Sequence, residues 1–135
     1  DPNYPWALRT LGWSLLWTGD KAGALAAMEK AQSLDADPWS IGCFGYALAV
    51  SGDRAKAGQI LSDLENLAQR RYVTPSARMV VHLGLGEREK ALEWLEKCYE
   101  DVDPQCWYLK LEPFYDSLRP EPRFQALLKK VGLDK

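Results

Sequence analysis

The chain has 135 residues, 47% apolar and 27% charged, with 17 Lys and Arg against 19 Asp and Glu for a net charge of −2. That is apolar content enough for one packed domain, and the interspersed signs leave no basic surface of the kind nucleic acid binding requires. No apolar run reaches membrane-spanning length, and the opening Asp1-Pro2-Asn3-Tyr4-Pro5 has neither the basic nor the apolar stretch of a secretory signal.

In chain order, the first expected helix covers residues 5–18. Pro5 stands at its start, where the N–H that proline lacks has no helical partner anyway. Gly19 ends it, because a residue just past a helix often needs the left-handed conformation that glycine adopts freely. Asp20 is then the expected N-cap of a second helix over 21–34. The next pair runs over 38–51 and 54–69, with Pro38 at its start and Gly52-Asp53 at its turn. A third covers 75–85 and 88–101, with Thr74 the expected N-cap before Pro75 and Gly86-Glu87 at the turn. Glutamate caps less well than aspartate, so this turn is expected to be the weakest of the three. No strand-like alternation of useful length occurs. After Asp103-Pro104 the pattern breaks: 105–111 and 113–119 read as short helical pieces, and 120–133 as a last helix that starts at a proline and ends near Gly132.

The turns mark a repeat. Gly19, Gly52 and Gly86 are separated by 33 and then 34 residues, and Asp20, Asp53 and Glu87 keep step with them, as do Ala24, Ala57 and Ala91. A period of this size belongs to stacked helix-turn-helix units. Gly12 and Gly45 precede the turn glycines by seven residues, small enough to let paired helices approach. Met79 occupies that place in the third unit, so its packing should be looser or shifted.

These residues resemble the tetratricopeptide repeat. Its pattern of a small residue, a turn glycine, an alanine and a bulky residue is met by Gly12, Gly19, Ala24 and Met28, by Gly45, Gly52, Ala57 and Leu61, and by Met79, Gly86, Ala91 and Leu95. The resemblance covers roughly residues 5–101 and departs from the pattern at Leu8, where a Trp is usual, and at the late Pro38. It implies an all-α, right-handed superhelical array of three helix pairs (5–37, 38–71 and 72–103) with a helical cap over 104–135, all within one domain. The tail "LKLEPFYDSLRPEPRFQALLKKVGL" is similar to the segment that closes such arrays in large bacterial signalling proteins: adenylate cyclases, serine/threonine kinases and winged-helix regulators. "DPNY" resembles the end of a preceding repeat, so the chain is expected to be part of a longer, cytoplasmic protein.

The tryptophans carry the functional signal. At about 100° per residue, Trp13 and Trp17 fall within about 20° of Trp6 on the first helix, while Leu8, Leu11 and Leu15 lie about 140–200° away. A helix apolar on two sides is sandwiched or offers one side to a partner; the leucines, with Gly12, are the expected core face. Trp39, Tyr46 and Val50 repeat the stripe in the second unit, and Val73, Val80 and Gly84 weaken it in the third. The family resemblance implies that this stripe lines a concave groove, built from Trp6, Trp13, Trp17, Trp39, Tyr46, Val50 and Val80 with Arg9 beside it, and that Trp13 is a groove residue. Arrays that clamp a terminal carboxylate use Lys and Asn where this chain has Arg9, Trp13, Gly42 and Tyr46, which argues against that ligand. The same stripe could instead be packing: Trp6 against a further repeat, or Trp107, Phe114 or Tyr115 folding back from the tail to fill the groove. Trp94 is expected in the core, and Trp107 as the anchor of the tail.

Little points to catalysis. No phosphate loop, HExxH, GxSxG or GxGxxG occurs, and His82, the single histidine, sits at a packing position of its helix. Cys43, Cys98 and Cys106 are odd in number and form no CxxC, which argues against a disulfide framework or zinc site and for buried thiols in a reducing compartment. No cofactor or metal is expected. The reading is a non-enzymatic scaffold that binds a protein or peptide in the groove. Homo-oligomerisation through the same surface, or a small ligand on stacked Trp rings, are the alternatives.

Overall fold

The computed structural model describes residues 4–133, so the expectation that "DPNY" closes a preceding repeat falls largely outside the described residues. Among the described residues there is no strand. Six helices come as three pairs: α1 (Pro5–Trp17) with α2 (Lys21–Leu34), α3 (Pro38–Val50) with α4 (Arg54–Ala68), and α5 (Pro75–Gly84) with α6 (Arg88–Glu100). Two 3₁₀-helices, Pro104–Tyr108 and Pro113–Leu118, lead to α7 (Pro122–Lys130). The last helix thus starts at Pro122 rather than Pro120.

The three turns are built alike. Gly19, Gly52 and Gly86 have φ of 93°, 96° and 76°, the left-handed region expected of them. The N–H of the following residue reaches back over the helix end: Asp20 to the Leu15 carbonyl at 2.8 Å, Asp53 to Leu48 at 2.9 Å, Glu87 to His82 at 3.0 Å. Asp20 and Asp53 then cap the next helix, accepting from the N–H of Gly23 at 2.9 Å and of Lys56 at 3.1 Å. Glu87 makes no cap bond; its carboxylate turns to His82 Nδ1 at 2.9 Å.

Two capping devices escaped the sequence. Thr74 does not cap α5. The capping acceptor is Asp103, 29 residues away, whose buried carboxylate takes the Ser76 N–H at 3.1 Å, the Thr74 hydroxyl and the Gln105 N–H at 3.1 Å. One acid therefore closes the N-termini of α5 and of the first 3₁₀-helix, because both start at the same corner. The second device ends α6. Asp103 N–H donates to the Cys98 carbonyl at 2.8 Å in the same backbone pattern, but Val102 at φ 55° stands where the other turns have glycine.

The core is centred on α3 and α5. Ala47, Met79, Val80 and Val81 are fully buried, and small residues set the spacing. A Cβ on Gly42 would lie 2.5 Å from the Ala77 carbonyl oxygen, and one on Gly45 2.7 Å from Val81 Cγ2 and 2.8 Å from Ile60 Cγ2. In the third pair Met79 is itself fully buried, and Gly84 meets α3, its side-chain direction closed by Tyr46 and Ala49. The expected leucine core face of α1 does not form. Gly12 is the one buried residue of α1, packed on Met28, and Leu11 is 48% exposed. Leu8 and Leu15 are half-buried; α1 lies at the end of the stack and packs chiefly on α2.

The tail closes the other end. Phe124, Leu127 and Leu128 of α7 are buried in the core cluster that includes Leu92 and Leu95 of α6. Arg123 ties the two helices from outside, donating to Glu89 Oε2 at 2.9 Å and Glu96 Oε2 at 3.2 Å. Trp107, expected as the anchor, is 55% exposed; Leu109 and Tyr115, both fully buried, hold the tail instead. Trp94 lies half-buried at the edge of the core, with the Arg78 guanidinium 4.5 Å over its ring.

Candidate functional site: an aromatic cavity between the first helix and the tail

The stripe of α1 does face a concavity. A cavity of about 340 Å³ is walled on one side by Trp6, Arg9, Thr10, Trp13, Ser14 and Trp17, with Trp39 of α3 at its end. The other wall comes from the tail: Gln105, Tyr108, Glu112 and Phe114. Sequence reasoning found the first wall through helical spacing. For the second it offered Trp107, Phe114 or Tyr115 folding back from the tail. Phe114 is the one that lines the cavity, and Gln105, Tyr108 and Glu112 carried no signal, since nothing in the 34-residue period says where the segment after the last repeat turns back.

The floor of the cavity is an aromatic stack. Trp13 stacks on Trp17 with ring centroids 5.4 Å apart, and lies 5.0 Å from both Tyr46 and Phe114. Phe114 also reaches Trp39 at 6.3 Å and Tyr46 at 6.1 Å. Centroid distances in this range are favourable beyond the area buried. Phe114, buried in the tail's second 3₁₀-helix, is thus the wedge that joins α1 to α3. The tail thus forms one wall of the expected groove, and the cavity lies between it and α1.

The expected groove residues accordingly divide. Trp6 and Trp17 are 57% and 44% exposed and form the open rim. Trp13 and Trp39 are half-buried and line the cavity. Tyr46 is buried beneath Trp13 and Phe114, and burial pushes its phenol up to about 12. Val80 is fully buried between helices, and Val50 is half-buried away from the cavity lining, so neither offers a surface to it. Val80 belongs to the buried core cluster, and Val50 packs at its edge.

Two charges line the cavity. Arg9 is anchored: its Nη1 donates to Ser40 Oγ at 2.8 Å and lies 3.7 Å from Asp37 Oδ2. Asp37 is itself the N-cap of α3, accepting from Trp39 N–H at 3.0 Å and Ser40 N–H at 3.2 Å. Glu112 has no such support. Its backbone carbonyl accepts from Arg119 at 3.1 Å, but its side chain caps no helix, and burial alone raises its carboxyl above the ordinary range.

Elsewhere the titratable groups are structural. His82 is buried and held by Glu87. Cys43, Cys98 and Cys106 are buried free thiols, with Cys43 pushed up by burial and Cys98 by its hydrogen bond to Cys106 and by burial. Among the described residues no cluster of His, Cys, Asp and Glu has the geometry to hold a metal, and no helix is long and apolar enough to cross a membrane. No protein-family model, curated protein or solved structure matches the chain.

Proposed function

We propose that this chain is a non-enzymatic interaction module that binds a peptide or a helix of another protein in the cavity between α1 and the tail. The observation that carries the reading is the exposure of Trp6 and Trp17, at 57% and 44%, on the rim of a preformed aromatic concavity. Tryptophan is dear to leave in water and is enriched among the few residues that dominate binding energy. We read the three helix pairs as a right-handed superhelical array of the tetratricopeptide type, closed by the tail, within a longer bacterial signalling protein of the cytoplasm. The test is a stability and binding comparison of Trp6→Ala and Trp17→Ala with the parent chain. Unchanged unfolding with loss of peptide binding supports the groove; unchanged binding removes it.

A second reading, self-association, has its own support in Leu11, which is 48% exposed on the side of α1 opposite the cavity. Size-exclusion chromatography over a range of concentrations separates the two: a dimer that Leu11→Glu dissolves and Trp6→Ala leaves intact favours assembly.

A further inference from the structure

The chemistry of the cavity narrows what it would take. Six aromatic rings line it, and the face of such a ring carries the negative end of its quadrupole. The one cation in the lining, Arg9, is already compensated by Asp37 and Ser40. The one carboxylate is not. Among the described residues no hydrogen bond or ion pair engages the Glu112 side chain, which sits half-buried against the rings. Exposed acids such as Glu29 are solvated and need no partner; Glu112 receives only part of that solvation, and a half-buried charge without a partner costs stability. Burial raises its carboxyl for the same reason. An anionic ligand would meet ring faces and a like charge. A neutral ligand could stack on the rings but would strip the remaining water from Glu112 and give nothing back. A cation satisfies both features at once.

We propose that the cavity takes a cationic side chain, arginine or lysine, of the partner peptide, with Glu112 as its counter-ion and the rings of Trp6, Trp13 and Trp39 around it. This rests on the groove reading above. An arginine is the better fit of the two, because its planar guanidinium stacks on an indole and forks to a carboxylate in one pose.

The probe is a library of random dodecapeptides displayed on phage and panned against the whole chain, with the enriched sequences made synthetically and titrated by tryptophan fluorescence. The expected result is an Arg or Lys common to the binders. Replacing it by citrulline or norleucine should weaken binding tenfold or more, as should Glu112→Gln and Trp6→Ala, with Glu29→Gln within twofold of the parent. The peptide substitutions leave the protein untouched, so they decide the matter even if a protein variant is poorly folded. Binders that need Trp6 but neither a cation nor Glu112 would overturn the cation and leave the groove standing. An absence of binders, or binders indifferent to both Trp6→Ala and Glu112→Gln, would remove the groove and this inference with it.

Discussion

Gly42→Ala and Gly58→Ala add the same methyl group to two helices and should move stability in opposite directions. At Gly42 the new Cβ would stand 2.5 Å from the Ala77 carbonyl oxygen, 2.9 Å from its Cα and 3.1 Å from its carbonyl carbon. All three are backbone atoms of α5, so no side chain can swing aside, and α3 and α5 must part. Overpacking of this kind costs about 1–3 kcal/mol, set against a gain of about 0.5–1 kcal/mol because alanine loses less backbone entropy than glycine in a helix. The net expectation is a loss of about 1–2 kcal/mol. At Gly58, inside α4, a Cβ meets no atom within 4 Å, so the propensity term acts alone and stability should rise by about 0.5–1 kcal/mol. For a chain of this size 1 kcal/mol is about 4 °C in Tm. The melting temperature of Gly42→Ala should fall by roughly 4–8 °C and that of Gly58→Ala rise by roughly 2–4 °C. Circular dichroism melts of the two beside the parent, with urea unfolding to check that the slope is unchanged, measure both. A Gly42→Ala chain as stable as the parent would refute the close α3–α5 contact on which the architecture rests.

Three other outcomes follow from the same packing. Trp13→Ala should cost about 2–4 kcal/mol in urea unfolding, because the ring joins Trp17, Tyr46 and Phe114, whereas Trp6→Ala on the open rim should stay within about 0.5 kcal/mol; equal losses would place both rings in the same environment. Val102→Gly should stabilise the chain by about 1 kcal/mol in the same assay, since a β-branched residue at φ 55° is strained and its side chain is 70% exposed; a lower midpoint would show that the valine makes a contact worth more than the strain. Burial raises the folded-state carboxyl of Glu112, so its effect on stability is best at low pH and is lost as the pH rises through that raised value. Glu112→Gln should therefore melt higher than the parent at pH 7, and the gain should vanish below about pH 4, the unfolded carboxyl range; a gain that persists in acid would assign it to something other than the charge.

The site shows how far local signals reach. Trp6, Trp13 and Trp17 share a stripe because 3.6 residues make a turn, and that arithmetic found one wall of the cavity before any tertiary contact was considered. The groove itself was implied by the family resemblance; the structure keeps Trp13 in the cavity wall but also packs it against Tyr46 and Phe114, since spacing along a helix says which residues share a face and nothing of what that face meets. Tyr46 and Val80 were on the stripe as well, but α3 and α5 close over them, drawn together by Gly42, Ala77 and Gly84.

What the sequence determined alone was the helix inventory and its punctuation. Each turn glycine, each proline at a helix start and the Asp20 and Asp53 caps act through bonds spanning three to five residues, so composition and order suffice to place them. What only the tertiary structure decided is everything that depends on segments far apart in the chain. Asp103 caps α5 from 27 residues beyond Ser76, displacing Thr74, because the end of α6 folds back to the start of α5. Phe114 enters the cavity from the tail, and Glu112 comes with it, because two short 3₁₀-helices turn the chain across α1 and α3. Leu11 of α1 stays exposed and Leu8 and Leu15 only half-buried, because an apolar stripe is buried only when a second surface arrives to cover it.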